Sequence, residues 1–421
     1  MPSPFSKQTF LLLQGVATPF FPELGKALES AGHRVLKMNF CGGDLLSGRF
    51  FSNTLKNINY RGGLQGLDAF YISIFDEYNI TDIILFGDTR PLHTPAVRIA
   101  KENDITVHVY EEGYFRPNWI TLDTGGVNAF SSLSKDPDYY LNYFQSGSSN
   151  SLFDNNRHEK ATINTGGGLA IRAWHDIRYH AATILLKAHF PHYQSHRPER
   201  ASKEYWGWIK RLPSLFLYYN DQSKQKITSL LRNQKAFYLL PLQLDGDSQM
   251  RIHSPINTVT ELIETALKSF SSHAPHDSVL VIKNHPLDPW FVDYPQLINT
   301  AAKKYNIAKD RVMYLESGDL NSLLKNAKGT VLVNSTVGTS ALQLGCPVIA
   351  LGSAIYDMAG LTFQGTLDNF WTEASPPNKE LFDNFQKIVI EKTHINGAFY
   401  NRQGIEMAVR GSLSKLINTL S

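Results

Sequence analysis

Cysteine is nearly absent. The 421 residues hold two, Cys41 and Cys346, far apart and without a CxxC pair. That excludes a disulfide framework and a zinc ribbon. Long hydrophobic runs are missing as well: no stretch reaches the roughly 18 apolar residues of a membrane-spanning helix. The opening MPSPFSKQTFLLLQG has one lysine and a short apolar run, and reads as a first strand rather than a signal peptide. A cytoplasmic chain, soluble or peripheral to a membrane, is expected. Charge of one sign is also lacking. Lys and Arg number 41 against 38 Asp and Glu, a net charge of +3 that is too weak to argue for a nucleic-acid partner. No GxGxxG, GxxxxGK[ST] or GxSxG occurs, which counts against a dinucleotide oxidoreductase, a P-loop NTPase and an α/β-hydrolase.

What is present is ample apolar material, 42% of residues, with 29 glycines and 20 prolines, ordinary shares for a folded chain. At about 100–200 residues per domain the length implies two or three domains. Residues 9–14 (TFLLLQ), 20–31 and 34–40 alternate strand, helix, strand. Residues 82–86 (DIILF), 92–103 and 105–110 (ITVHVY) do so again. Unbroken apolar runs of this length predict buried parallel strands and a doubly wound sheet. A segment rich in Ser, Asn, His, Tyr and Trp follows, and reads as a helical insertion. From 236 a second α/β series runs through strands at 236–243, 278–283, 311–316, 329–334 and 347–351. The fold class expected is therefore α/β with two Rossmann-like domains. The first spans 1–225, including the helical segment 130–225, and the second 226–395. A C-terminal helix in 396–421 packs back on the first domain.

In open α/β sheets ligands bind beyond the carboxyl ends of strands, so the loops there are the places to search. After 105–110 come Glu111, Glu112 and a glycine. A carboxylate there suits a general base or a nucleophile, or else forms a solvated acidic turn. After 278–283 come Asn284, His285 and Pro286, with Lys283 adding charge. The imidazole suits a phosphate, or else caps the loop. After 329–334 come Ser335, Thr336 and Gly338, an anion-binding turn or simple capping by Asn334 or Ser335. After 236–243, with Gln243 at its end, Asp245-Gly246-Asp247-Ser248 reads as a turn touching a nucleotide rather than a metal site. Gln14, Asp44, Asp88, Arg90 and Arg116 follow strands of the first domain and line an acceptor cleft in this reading. His189, His192 and His196 lack an acidic partner nearby, so no metal is expected. Residues 193–219 mix Arg197, Arg200, Lys203, Lys210 and Arg211 with Tyr205, Trp206 and Trp208. That pattern fits a membrane interface or a helix packed on a cleft, and both stay open.

Together these segments resemble the capsule polysaccharide synthesis KpsS/LipB family, bacterial β-Kdo transferases that start the glycolipid anchor of capsules. The resemblance rests on LLLQG at 11–15, NFCGGD at 39–44, FGDTRPLH at 86–93, EEGYFRPNWITL at 111–122 and HYQSHRP at 192–198. It continues with LPLQLDGDSQ at 240–249, KNHPLD at 283–288, NSTVGTSAL at 334–342 and AIYDMAGLT at 354–362. It implies a GT-B-type transferase whose two Rossmann-like domains face a central cleft. The implied donor is CMP-Kdo and the implied acceptor a lysophosphatidylglycerol-type lipid at the inner leaflet. No cofactor is implied, and a chain-extending Kdo transferase is an implied partner. Glu112, Glu111 and His285 become the catalytic set. Gln243, Asp247, Ser248, Lys283, His285, Pro286, Ser335, Thr336 and Gly338 become the donor site. The chain-extending relatives carry Asp where Glu112 stands and retain anomeric configuration, so retention is expected. Another CMP-sugar such as sialic acid, or a non-catalytic role in capsule assembly or export, stays as an alternative.

Overall fold

The computed structural model describes residues 7–51, 55–143, 169–195, 201–214, 219–244 and 254–418. Among these lie strands β1 (Thr9–Leu12), β2 (Arg34–Asn39), β3 (Lys56–Asn59), β4 (Asp82–Phe86), β5 (Thr106–Glu112) and β6 (Trp119–Thr124). They continue as β7 (Phe237–Pro241), β8 (Val279–Lys283), β9 (Val312–Leu315), β10 (Gly329–Leu332), β11 (Val348–Ala350) and β12 (His394–Asn396). Two sheets result, ordered β12-β6-β5-β4-β1-β2-β3 and β11-β10-β7-β8-β9. Strands β1 to β5 are parallel, while β6 runs antiparallel to β5 and β12 antiparallel to β6. The second sheet is parallel throughout. Counted from its own first strand, each sheet contains the order 3-2-1-4-5. Its direction reverses between β1 and β4 in one and between β7 and β10 in the other, where ligands of such folds bind.

The apolar runs explain these strands. Phe10, Leu11 and Leu12 of β1 and Val279 to Ile282 of β8 are buried, as strands covered on both faces must be. The covering helices show the matching period. Helix Phe20–Ser30 buries Phe20, Phe21, Leu24 and Leu28 and gives way to Gly32 at φ +94°, a left-handed stop. Helix Val259–His273 starts on Thr258, whose side chain accepts from the Glu261 N–H, and buries Leu262, Ile263, Ala266 and Phe270.

The described residues within Met1–Ser132, Ser149–His196 and Val389–Ser421 form one compact unit, and those within Leu133–Ser148 and Arg197–Ile388 a second. This differs from a division at 225/226 and at 395/396. Helices Ala201–Ser214 and Asn220–Arg232 lie in the second unit, because Arg211 and Lys226 bond to its loops and strands. The return to the first unit starts before 396, because β12 extends the first sheet through β6. In helix Arg402–Asn418, Ile405, Ala408 and Leu416 join the apolar cluster of Phe20, Leu24 and Leu28.

Candidate functional site

In the first unit β5 runs two residues further than the apolar run suggests, so Glu111 and Glu112 end a strand instead of sitting in a turn. Successive strand residues point to opposite faces. On one face Glu111 Oε2 approaches Gly87 at the end of β4, where an added methyl would sit 3.6 Å from both Glu111 Oε2 and Arg90 Nε. Gly87 has φ +72°, which favours glycine there. Glu111 also accepts from the Glu112 N–H at 3.1 Å. On the other face Glu112 Oε1 accepts from the Tyr400 hydroxyl at 3.1 Å. Burial first, and the neighbouring Glu112 second, push the Tyr400 phenol well above its ordinary pKa, so it stays a neutral donor. Arg172 lies over the Tyr400 ring at 4.8 Å.

Beside these carboxylates Arg90 spans the switch point, donating to Gln14 Oε1 at 3.3 Å and the Gly15 carbonyl at 3.2 Å. Burial lowers the Arg90 pKa, and Glu111 opposes that shift. Gln14 Nε2 donates to Asp44 at 3.1 Å and to the Tyr179 hydroxyl at 3.1 Å, and Tyr179 donates to Asp44 at 2.7 Å. Cys41 faces the same phenol at 3.1 Å, and burial pushes its thiol up to about 12. Gln14 and Asp44 are buried, so they hold the loops rather than form the surface a ligand meets. Asp88, read as an acceptor-cleft residue, is buried as well. It accepts from the Val127 N–H at 3.0 Å, and burial raises its carboxyl pKa. Arg116 is exposed past the end of β5 and donates to the Gly113 carbonyl at 3.3 Å.

In the second unit the parallel is close. Gln243 follows β7 and meets Asn334, which follows β10, across the second switch point. Its amide donates to Asn334 Oδ1 at 3.2 Å and its carbonyl accepts the Asn334 N–H at 3.3 Å. His285 follows β8. Its Nδ1 accepts from the Leu287 N–H at 3.0 Å, so the neutral imidazole carries its proton on Nε2. The Asn284 side chain accepts the His285 N–H at 2.8 Å and donates to Glu316 at 3.1 Å. Lys283 is buried, and that burial lowers its pKa against the opposing pull of Glu316.

Arg211, 1% exposed, locks this loop. It pairs with Glu316 (Nε–Oε1 2.8 Å, Nη2–Oε1 2.7 Å) and donates to the carbonyls of His285 at 3.2 Å, Pro286 at 2.9 Å and Asp288. Glu316 further accepts the Trp290 indole N–H at 3.0 Å. Arg211 is therefore a buried clamp and not part of a membrane-facing patch. Spacing alone hid this, because a basic residue beside Trp208 reads equally as interface. Ser335 Oγ accepts the Val337 N–H at 3.2 Å, a local turn bond, and Ser335 and Thr336 are half-buried. A methyl on Gly338 would collide with the Tyr356 hydroxyl, so this glycine admits a tyrosine rather than a ligand. Asp247 and Ser248 lie outside the described residues, as do Arg197, Arg200 and His196. His189 and His192 are exposed. Among the described residues no group of three or more His, Cys, Asp or Glu side chains could hold a metal ion.

Two doubly wound sheets in one chain, each with polar side chains gathered at its switch point, define a two-domain Rossmann-like protein of GT-B type. Residues 81–400 match the family described as capsule polysaccharide biosynthesis protein. The chain is 36% identical over 399 residues to the capsule polysaccharide modification protein LipB of Neisseria meningitidis serogroup B, covering 94% of this chain and 93% of the relative. It is 34% identical over 397 residues to the capsule polysaccharide export protein KpsS of Escherichia coli, covering 94% and 97%. Among solved structures, the Thermosulfurimonas dismutans KpsC β-Kdo 2,7 transferase aligns at 15% identity and a TM-score of 0.44, covering 97% and 100%. The chain belongs to the KpsS/LipB family of capsule polysaccharide biosynthesis proteins.

Proposed function

We propose that this protein is a glycosyltransferase of capsule biosynthesis that moves Kdo from CMP-Kdo to a lysophosphatidylglycerol-type lipid at the inner leaflet. The observation that carries the reading is the Glu112 carboxylate, set at the carboxyl end of a parallel strand and held by a neutral phenol, in a chain of this family. A carboxylate so held keeps the lone pair that either reaction course needs. With retention, Glu112 bonds to the anomeric carbon as CMP leaves with the electron pair of the broken C–O bond. The acceptor hydroxyl then displaces Glu112, and its proton passes to the carboxylate so released. With inversion, Glu112 takes the proton of the hydroxyl as that oxygen attacks directly. His285, with its proton on Nε2, donates to the CMP phosphate and offsets the charge that develops on the leaving group. Ser335 and Thr336 offer further hydroxyls to that phosphate. Lys283 and Gln243 are buried and act on the donor through the loops they hold. No cofactor takes part in this scheme.

The test is a product assay. Purified protein meets a lysophosphatidylglycerol analogue and CMP-Kdo made in situ, with CMP-sialic acid in parallel, and products are read by mass spectrometry. One added Kdo is expected, lost in Glu112→Gln while CMP affinity stays. Product with sialic acid alone would replace the donor. A folded chain without CMP binding would overturn the transferase reading in favour of a scaffold for capsule assembly or export.

A further inference from the structure

Helix Leu169–Leu185 has two unlike faces. One packs over the first unit's site: Arg172 covers Tyr400, Tyr179 binds Asp44, and Thr183 Oγ1 accepts the Gly43 N–H at 3.2 Å. The other is apolar and open. Ile171, Trp174, Ile177, Ala181, Ile184 and Leu185 recur at three- and four-residue spacing and are all exposed, Trp174 at 63% and Leu185 at 80%. A helix of a soluble domain turns such a stripe inward; here the inward face is the polar one. Cations stand beside the stripe: half-buried Arg178 on the helix and exposed Lys187 just past its end, against one acid, Asp176, which His180 engages at 3.7 Å. Apolar side chains including an exposed Trp, flanked by Arg and Lys, are the pattern of a helix lying in the headgroup layer of an anionic bilayer. Among the described residues no helix is long and apolar enough to cross a membrane, so this is a surface contact.

We infer that helix Leu169–Leu185 is an interfacial docking helix whose apolar stripe enters an anionic phospholipid surface while its opposite face packs on Tyr400, which holds Glu112, and on Asp44. The inference rests on the proposed lipid acceptor for its purpose. It places the acceptor's source against the unit that carries Glu112, because one rigid helix joins the bilayer contact to that site.

The experiment is flotation of the full chain with vesicles of equal parts phosphatidylglycerol and phosphatidylcholine, compared with phosphatidylcholine alone, and without any sugar donor. The parent chain is expected to float with the anionic vesicles. Ile177→Asp with Ile184→Asp is expected to weaken this about tenfold or more, since two charges enter the apolar layer. Its circular dichroism, melting temperature and CMP affinity should remain those of the parent. Trp206→Asp with Ile209→Asp, on the exposed side of helix Ala201–Ser214, is expected to leave flotation in place. Flotation lost in that second pair alone, or unchanged in the first, would overturn the inference. So would a parent chain that ignores vesicles, or one that is dimeric and turns monomeric in the first pair, since a second copy would then cover the stripe. Flotation without glycosyl transfer would sink the transferase reading and keep the helix; transfer without flotation would do the reverse.

Discussion

Arg211 sets the lesson at the scale of single residues. One guanidinium meets a buried carboxylate and three carbonyls, and its planar fork is the group that can do so. Arg211→Met leaves Glu316 buried without its cation, and breaking such a pair costs about 3–5 kcal/mol. Denaturant unfolding should register that loss, and calorimetry should show weaker CMP binding as the His285 loop relaxes. Arg211→Lys keeps the charge but not the fork, so it should recover only part of both. CMP affinity unchanged in Arg211→Met would mean that the loop needs no clamp. The acidic pair stood out in the sequence because two carboxylates at a strand end are unusual. Their division between opposite faces was not, because it depends on β5 extending through both of them, and that extension depends on β6 pairing alongside. The hydroxyls of Tyr400 and Tyr179 are drawn to Glu112 and Asp44 from 288 and 135 residues away, separations that no local motif encodes.

At the scale of elements, the strands with unbroken apolar runs were legible, three-residue β11 among them, and β3, β6 and β12 were not. β3 reads KNIN and is half exposed, and β12 has three residues whose partner strand lies more than 270 positions earlier. Such strands owe their form to a neighbour's free edge rather than to their own side chains. The C-terminal helix is the strongest case for long-range packing. Ile405 and Leu416 are buried against residues of helix Phe20–Ser30. Ile405→Ala and Leu416→Ala should each lower unfolding free energy by about 2–5 kcal/mol, the usual cost of such truncations in a core. A loss well under one kcal/mol in both would show that this helix is only loosely attached.

At the scale of the whole molecule, stability should depend on pH through two buried imidazoles of the first unit. Burial lowers His93 and His394 from the ordinary 6.5 to about 3. Above 6.5 both states hold these rings neutral. As pH falls from 6.5 towards 3 the unfolded chain takes up protons that the folded chain refuses, so the stability they contribute is lost over that window, at about 1.4 kcal/mol per pH unit for each ring. Buried Asp123, raised to about 6, acts in the opposite sense as pH falls below that value. The contribution of one ring is isolated by difference. His394→Gln should be less stable at pH 7, because it disturbs the bonds to Phe115 N–H and Thr393, yet its unfolding free energy should fall less steeply between pH 6 and 4. Equal slopes in parent and variant would place the protonation elsewhere.

Sequence alone determined the class of fold, because buried parallel strands demand unbroken apolar runs and their covering helices demand a period near four. It also determined which loops to search, since strand ends fix where polar residues gather. Tertiary structure decided the rest. It made Gln14, Asp44 and Gln243 buried struts, turned Arg211 from a surface charge into a clamp, and gave Gly338 to Tyr356. These outcomes depend on which atoms approach across hundreds of residues. Burial and hydrogen bonding there are properties of the packed neighbourhood and not of the residue type.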